Sequence, residues 1–205
     1  EILLKHPNII VVTDDIYEHI FWGSERFANI INSCPELYDR TIIVNGVSKA
    51  YSMTGWRIGY AAGPDKIIKE MKKIQSQSTS NPNSIAQAAA VAALNGKQDF
   101  IKECVNIYKE RHDIIIKLLK EIDGIKVIES EGTFYTFPDM SNIIGRIQKI
   151  SNDIELAEFL LEEAGVAMVP GSAFGNPGCM RLSFATNIEN IKEGIKRIKD
   201  ILSNN

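Results

Sequence analysis

This sequence has no Lys/Arg block, no paired cysteines, and no apolar run near the ~18 residues a membrane-spanning helix needs. Each absence excludes a class. Twenty-three basic residues stand against 26 acidic ones, giving a formal charge of −3, so the electrostatic footprint of a nucleic-acid binder is missing. With no apolar span, no helical membrane role is expected. The three cysteines, Cys34, Cys104 and Cys179, are odd in number, far apart and outside any CxxC pair. A secreted disulfide framework is therefore excluded, and reduced thiols in a cytoplasmic protein are expected. The histidines are His6, His19 and His112, and none has a second His or Cys at ligand spacing, so no metal site is expected. His112, inside a helical pattern, reads as a surface or boundary residue. The chain also opens without Met or a signal peptide. Glu1-Ile2-Leu3-Leu4-Lys5-His6 reads as the end of a helix, and the expectation is a fragment of a longer protein.

What is present is ordinary for a globular protein. Hydrophobic residues make up 44% and charged residues 24% of 205 residues. The first half alternates β-branched runs with helical patterns. Residues 9–13, 41–45 and 57–62 read as strands, and such near-continuous apolar runs fit strands buried on both faces. Asp65 is placed to cap a helix carrying Ile67, Ile68, Met71 and Ile74 on one face. Ser80-Asn81-Pro82-Asn83 is a turn and cap before an Ala-rich helix over 84–94, which Gly96 ends.

A long helix from about Phe100 to Gly124 suits a connector into a second domain. There the pattern predicts strands over 125–129 and 133–138, a helix over 153–164, strands over 166–169 and 179–185, and a helix over 187–202. Asn152 with Glu155, and Thr186 with Glu189, have capping-box spacing. Gly165 closes the earlier helix. The fold class is therefore α/β with a smaller α+β part, divided as 1–97 and 98–205.

The most specific stretch runs from Asn45 to Gly59. Lys49 sits just past a buried strand in a small-residue setting, and Arg57 opens the next strand eight residues later. A lysine so placed can be desolvated into a usable amine nucleophile. An arginine beside it can hold a phosphate by a bidentate contact. The pair suits pyridoxal 5'-phosphate, one group for the aldehyde and one for the phosphate. The alternative for these two residues alone is a loop lysine and a salt-bridged arginine. At the end of the first strand, Asp14-Asp15-Ile16-Tyr17 places carboxylates where α/β sheets bind ligands. Arg181, in Met180-Arg181-Leu182-Ser183-Phe184, is costly to bury without an anion. A structural salt bridge is its alternative reading.

Taken whole, the stretch resembles the cofactor-attachment signature of the class I and II aminotransferases, the fold type I family. Gly46, Val47, Ser48, Lys49, Ser52, Met53, Gly55, Arg57, Ile58 and Gly59 satisfy every constrained position of that signature. Within the family the resemblance is to the bacterial aspartate aminotransferase branch, including aspartate/prephenate aminotransferases. The Ser/Thr-rich run Ser76 to Pro82 and Met53-Thr54-Gly55-Trp56-Arg57 carry it.

The resemblance implies the C-terminal part of a large cofactor-binding domain plus a complete small domain, with the N-terminal half absent and this chain inactive alone. It implies that Lys49 binds pyridoxal 5'-phosphate covalently and acts as the catalytic base. Asp14 would pair with the ring nitrogen and Tyr17 with the ring's 3-oxygen, leaving Asp15 as the exposed neighbour. Arg57 would hold the phosphate, helped by Ser48 or backbone N–H groups where Gly46 replaces a phosphate-contacting serine of many relatives. Arg181 would clamp the substrate α-carboxylate. Val169 to Gly175 resembles the loop leading to it. Phe134 and Tyr135 resemble an active-site-facing strand, although by themselves they read as core. The implied reaction moves an amino group between aspartate and 2-oxoglutarate in a homodimer. No arginine lies between Arg57 and Arg111 to bind the distal carboxylate as the partner's arginine does in other aspartate enzymes. The alternatives are an alanine-, aromatic- or prephenate-preferring aminotransferase, or a non-catalytic aminotransferase-like domain of a transcription regulator.

Overall fold

The computed structural model describes residues 1–147 and 150–204. The chain divides into two compact units, Glu1–Glu103 and Cys104–Asn205. The division falls inside helix α4, Asp99–Lys120.

The first unit holds a three-stranded sheet in the order β1-β2-β3, formed by Val11–Asp14, Thr41–Gly46 and Gly59–Ala62. β1 and β2 run parallel, whereas β3 returns antiparallel, with Gly46 opposite Gly59. A parallel pair requires a long crossover. Here it contains helix α1, Ile30–Ser33, and the 3-10 turn Pro35–Arg40. Arg40 ties the chain ahead of β1 to this crossover, donating to the carbonyls of Leu3, His6 and Ile9 at 2.6–2.9 Å.

Thr41, Ile42, Asn45 and Gly46 of β2 are buried, but β1 and β3 are not buried on both faces as their composition predicts. β1 and β3 are the edges of this sheet, and Val12 is 63% exposed. Strand pleating puts Val11 and Thr13 on the sheltered side of β1 and Val12 and Asp14 on the open side.

Helix α2, Asp65–Ser78, follows β3, with Pro64 at its N-cap. Asp65 is its first helical residue rather than its cap, and its carboxylate pairs with Lys69 one turn on. Helix α3, Ser84–Asn95, is capped by Asn83, whose side chain accepts from the N–H groups of Ile85 and Ala86. Its small residues matter for packing. Ala90 is buried with Val47 and Met53, and Ala89 and Ala93 pack on the same cluster with Tyr51 and Ile58. An alanine face lets the helix come close to the segment that follows β2.

The second unit contains a three-stranded antiparallel sheet in the order β4-β6-β5. Its strands are Tyr135–Thr136, Met180–Ser183 and Val169–Pro170, numbered β4, β6 and β5. They are shorter than expected, and 125–129 forms only an isolated bridge, Lys126 with Asp139. Helices α5, Asp153–Ala164, and α6, Ile188–Asn204, pack against each other. Leu156, Leu160, Met180, Phe184 and Ile198 are fully buried.

Asn152 caps α5, accepting from Ile154 and Glu155, and Gly165 closes it in the left-handed conformation. The cap of α6 is not Thr186. Asn187 accepts from the Asn190 N–H at 2.7 Å, and Thr186 accepts instead from the Asn190 side chain. The Asn187 amide oxygen, one residue later, reaches the N3 donor directly.

His112 is a core residue, 3% exposed, not a surface or boundary one. Its Nε2 accepts from the Ser130 N–H at 3.2 Å, and its ring meets Phe184 edge-on. The Ser130 donor fixes the hydrogen on Nδ1, which faces the Asp113 carboxylate at 3.2 Å. Among the described residues no helix is long and apolar enough to cross a membrane. Cys34, Cys104 and Cys179 are free thiols.

Candidate active site

In the first unit the chemistry gathers at the C-terminal ends of the parallel pair β1 and β2. Strand pairing sets Asp14 beside Val44, so the end of β1 and the turn that leaves β2 lie at one edge of the sheet. In an open α/β sheet this edge is where ligands bind. Lys49 lies in that turn and is half-buried. The turn is closed by the Tyr51 N–H on the Val47 carbonyl and the Ser52 N–H on the Lys49 carbonyl. It is anchored from below by Val47, which is fully buried.

Tyr17 comes from the turn after β1 and meets Lys49. The Lys49 Nζ lies 5.8 Å from the centroid of its ring. Asp14 is exposed and accepts from the Ile16 N–H at 3.3 Å.

The exposed carboxylate is not that of Asp15, as the resemblance suggests. Asp15 is 6% exposed and accepts from the Thr13 hydroxyl at 2.7 Å. Pleating is the cause: Asp15 shares the sheltered face with Thr13, and Asp14 takes the open one.

Arg57 does not open a strand. It ends the 3-10 turn Thr54–Trp56 in the left-handed region, with φ 53° and ψ 48°. Ser52, at φ 53°, is a second non-glycine residue in that region. Such a backbone costs roughly 1–3 kcal/mol per residue and tends to collect at functional sites. Arg57 is exposed and donates from Nη1 to the Thr54 carbonyl at 2.9 Å. Ser48 is half-buried beside Lys49. At Gly46 a Cβ would approach Gly59 Cα to 3.1 Å and the Ile58 carbonyl to 3.2 Å, because β2 and β3 run close there. A serine at this position would need those strands to give way.

Supporting residues that the sequence did not single out surround this edge. Asn45 is buried, accepts from the Gly46 N–H at 2.7 Å and donates to Glu18 at 2.6 Å. That bond links the turn after β1 to the end of β2. Tyr51 donates its hydroxyl to Gln98 at 2.8 Å. Burial, then the negative charge of Glu18, push the Tyr51 phenol above its ordinary pKa. The asparagine opening the motif was the available signal for the first contact.

Arg181 lies in the second unit, on β6, and is half-buried. Among the described residues it makes no ion pair, so the structural salt bridge considered for it is absent. It lies instead over the rings of Tyr135 and Phe174. Tyr135 is half-buried rather than core. Phe174 ends the 3-10 turn Gly171–Phe174. Asp14, Tyr17, Ser48, Lys49 and Arg57 thus belong to one unit and Arg181 to the other.

Comparison with known proteins follows the same lines. Residues 1–198 match the family described as aminotransferase class I and II. The aspartate/prephenate aminotransferase of Nitrosomonas europaea is 53% identical over 207 residues, covering 98% of this chain and 52% of that protein. An aspartate aminotransferase of Rhizobium meliloti strain 1021 is 48% identical, covering 97% of this chain and 49% of that protein. A crystal structure of the aspartate aminotransferase from Rhizobium meliloti matches with TM-score 0.93 and 46% identity, covering 98% of this chain and 52% of that one. An aromatic aminotransferase structure from Pyrococcus horikoshii matches with TM-score 0.89 and 35% identity, covering 99% of this chain and 53% of that one. The chain spans about half the length of the relatives it matches.

Proposed function

The chain belongs to the class I and II aminotransferases, with the fold type I architecture of its structural neighbours, and we propose that its protein is an aspartate aminotransferase dependent on pyridoxal 5'-phosphate. One observation carries this reading. An amine on a rigid turn, Lys49, meets the ring of Tyr17 at the strand edge that also presents Asp14.

The donor set fits the cofactor. It offers an amine for an aldehyde, a carboxylate for a pyridinium, a phenol for a ring hydroxyl and a guanidinium for a phosphate. When bound, the cofactor supplies an electron sink for the carbanion formed at the substrate Cα.

The residues of this chain do the rest. Lys49 would hold the cofactor through Nζ, and the free Nζ would act as the base that takes the proton from the substrate Cα and holds it as an ammonium. Val47, buried beneath it, keeps the turn from shifting. Asp14 holds the pyridine nitrogen protonated. Tyr17 holds the ring's 3-oxygen. Arg57 and Ser48 would hold the phosphate. Arg181 binds the α-carboxylate and so orients the Cα–H bond. Aspartate as amino donor is supported by the names of the two bacterial relatives, and 2-oxoglutarate as acceptor belongs to the same proposal. A homodimer and the division into a cofactor domain over 1–97 and a small domain over 98–205 are part of the same proposal.

Prephenate is a second acceptor, favoured by the name of the Nitrosomonas relative. A transamination panel on the complete gene product, with aspartate, alanine and phenylalanine as donors and 2-oxoglutarate and prephenate as acceptors, tests both readings. Aspartate turnover that disappears in Lys49→Ala is expected. A panel with no turnover by any donor would favour the regulator-domain alternative.

A further inference from the structure

The guanidinium of Arg181 is held by aromatic rings rather than by a carboxylate. Its Cζ lies 4.5 Å from the centroid of Phe174 and 4.7 Å from that of Tyr135. The rings come from different elements, Tyr135 from β4 and Phe174 from the 3-10 turn after β5. Both are themselves fixed. Tyr135 is paired with Ser183 across the sheet, and its ring meets that of Phe134 at 4.7 Å, tilted by 51°. Phe174 meets Phe137 edge-on at 5.9 Å.

The turn carrying Phe174 is tied down at three points. The Gly171 N–H donates to Cys179 at 2.7 Å, and the Asn176 N–H donates to Gly171 at 3.0 Å. The Ser172 N–H donates to Asp153 at 2.6 Å, and this carboxylate is 3% exposed.

The choice of partner has a chemical consequence. A carboxylate that oriented Arg181 would occupy its N–H donors and compete with an incoming anion. An aromatic face attracts the cation through its quadrupole and accepts no conventional hydrogen bond. The guanidinium is therefore held while its donors stay available for a bidentate carboxylate.

We propose that Phe174 and Tyr135 are positioning residues that hold the Arg181 guanidinium for the substrate carboxylate. The inference rests on the reading of Arg181 as the α-carboxylate clamp. Phe174 is the cleaner of the two to test, since it is 49% exposed and its replacement leaves the buried core of this unit in place.

The experiment uses the complete gene product and two readouts. One is steady-state transamination of aspartate; the other is calorimetric titration with succinate, an unreactive dicarboxylate. Phe174→Met keeps apolar bulk and removes the π-face, Phe174→Tyr keeps the face, Tyr135→Leu removes the second face, and Arg181→Lys tests the clamp itself. The expected result is a KM for aspartate raised about three- to fivefold in Phe174→Met and in Tyr135→Leu, with succinate weakened by the same factor. Turnover at saturation should change less than twofold, and Phe174→Tyr should restore both binding values. The proposal is overturned if Phe174→Met binds like the wild type while Arg181→Lys loses binding, or if Phe174→Tyr fails as badly as Phe174→Met. Wild-type KM and succinate binding in Arg181→Lys would overturn the clamp reading, and this inference with it.

Discussion

The Nζ of Lys49 lies 5.8 Å from the centre of the Tyr17 ring, joining the turn after β2 to the turn after β1. Two roles can be separated by substitution. Lys49→Ala removes the amine and should abolish the visible absorbance of the lysine-bound cofactor in the complete gene product. Tyr17→Phe keeps the ring and removes the hydroxyl. Its absorbance should persist, but the pH at which the spectrum changes should rise. A hydrogen bond donated to the ring's 3-oxygen favours the deprotonated form, and that support would be gone. A spectrophotometric pH titration decides it, and an unchanged midpoint would separate Tyr17 from the cofactor.

Gly171 tests the turn beneath Arg181. A Cβ there would lie 2.3 Å from the Asn176 carbonyl oxygen and 2.6 Å from that of Cys179. These are backbone atoms in the hydrogen bonds that close the turn, so they cannot swing aside. Gly171→Ala should cost about 1–3 kcal/mol or more of stability. It should also raise KM for aspartate, because the shift moves Phe174. Thermal unfolding and steady-state kinetics on one preparation would check both, and a variant as stable as the wild type would contradict the packing argument.

Much of this was legible because single residues carried local signals. Asn83 and Asn152 cap the helices their positions predict, since capping depends on a few neighbouring N–H groups. The motif around Lys49 gave the family resemblance that the comparisons support.

Features set by tertiary packing were harder to read. The run Ile9–Thr13 predicts a strand buried on both faces. Edge position and pleating instead open one face, and they reverse the exposure of Asp14 and Asp15. The strands of the second unit shrink to two to four residues, because bridges at Asp139 and the turn at Gly171 do work that composition assigns to longer ladders. The structural salt bridge that is one reading of Arg181 finds no partner among the described residues, and its neighbours are rings 46 and 7 residues away in sequence.

His112 shows what a helical periodicity leaves open. The pattern places it on α4 but does not say that its face is the buried one. Its Nε2 is the acceptor for the Ser130 N–H, and the ring fills space beside Phe184. His112→Ala should cost about 1–3 kcal/mol for the lost acceptor, and more for the cavity. His112→Gln can present a side-chain oxygen at a similar reach and should recover part of that loss. Denaturant unfolding of the two variants would show the order, and equal losses would mean that packing alone explains the site.

Asp139 gives a prediction whose sign depends on pH. Its carboxylate accepts from the Ser141 hydroxyl at 2.6 Å and from the Ser141 N–H at 2.9 Å. The hydroxyl bond, then the N–H bond, hold its pKa below the ordinary aspartate value, against a smaller opposing effect of burial. An unfolded aspartate titrates near ~3.9. The native carboxylate keeps its charge to lower pH, so its stabilising contribution is fully present above the unfolded value. It fades as pH falls through the native value, where the folded form takes up the proton as well. Asp139→Asn is a neutral mimic of the protonated side chain. It should lower the thermal midpoint at pH 7, and the gap to the wild type should close below about pH 4. A gap of constant size across that window would mean that the charge contributes nothing and that the loss comes from altered hydrogen bonding alone.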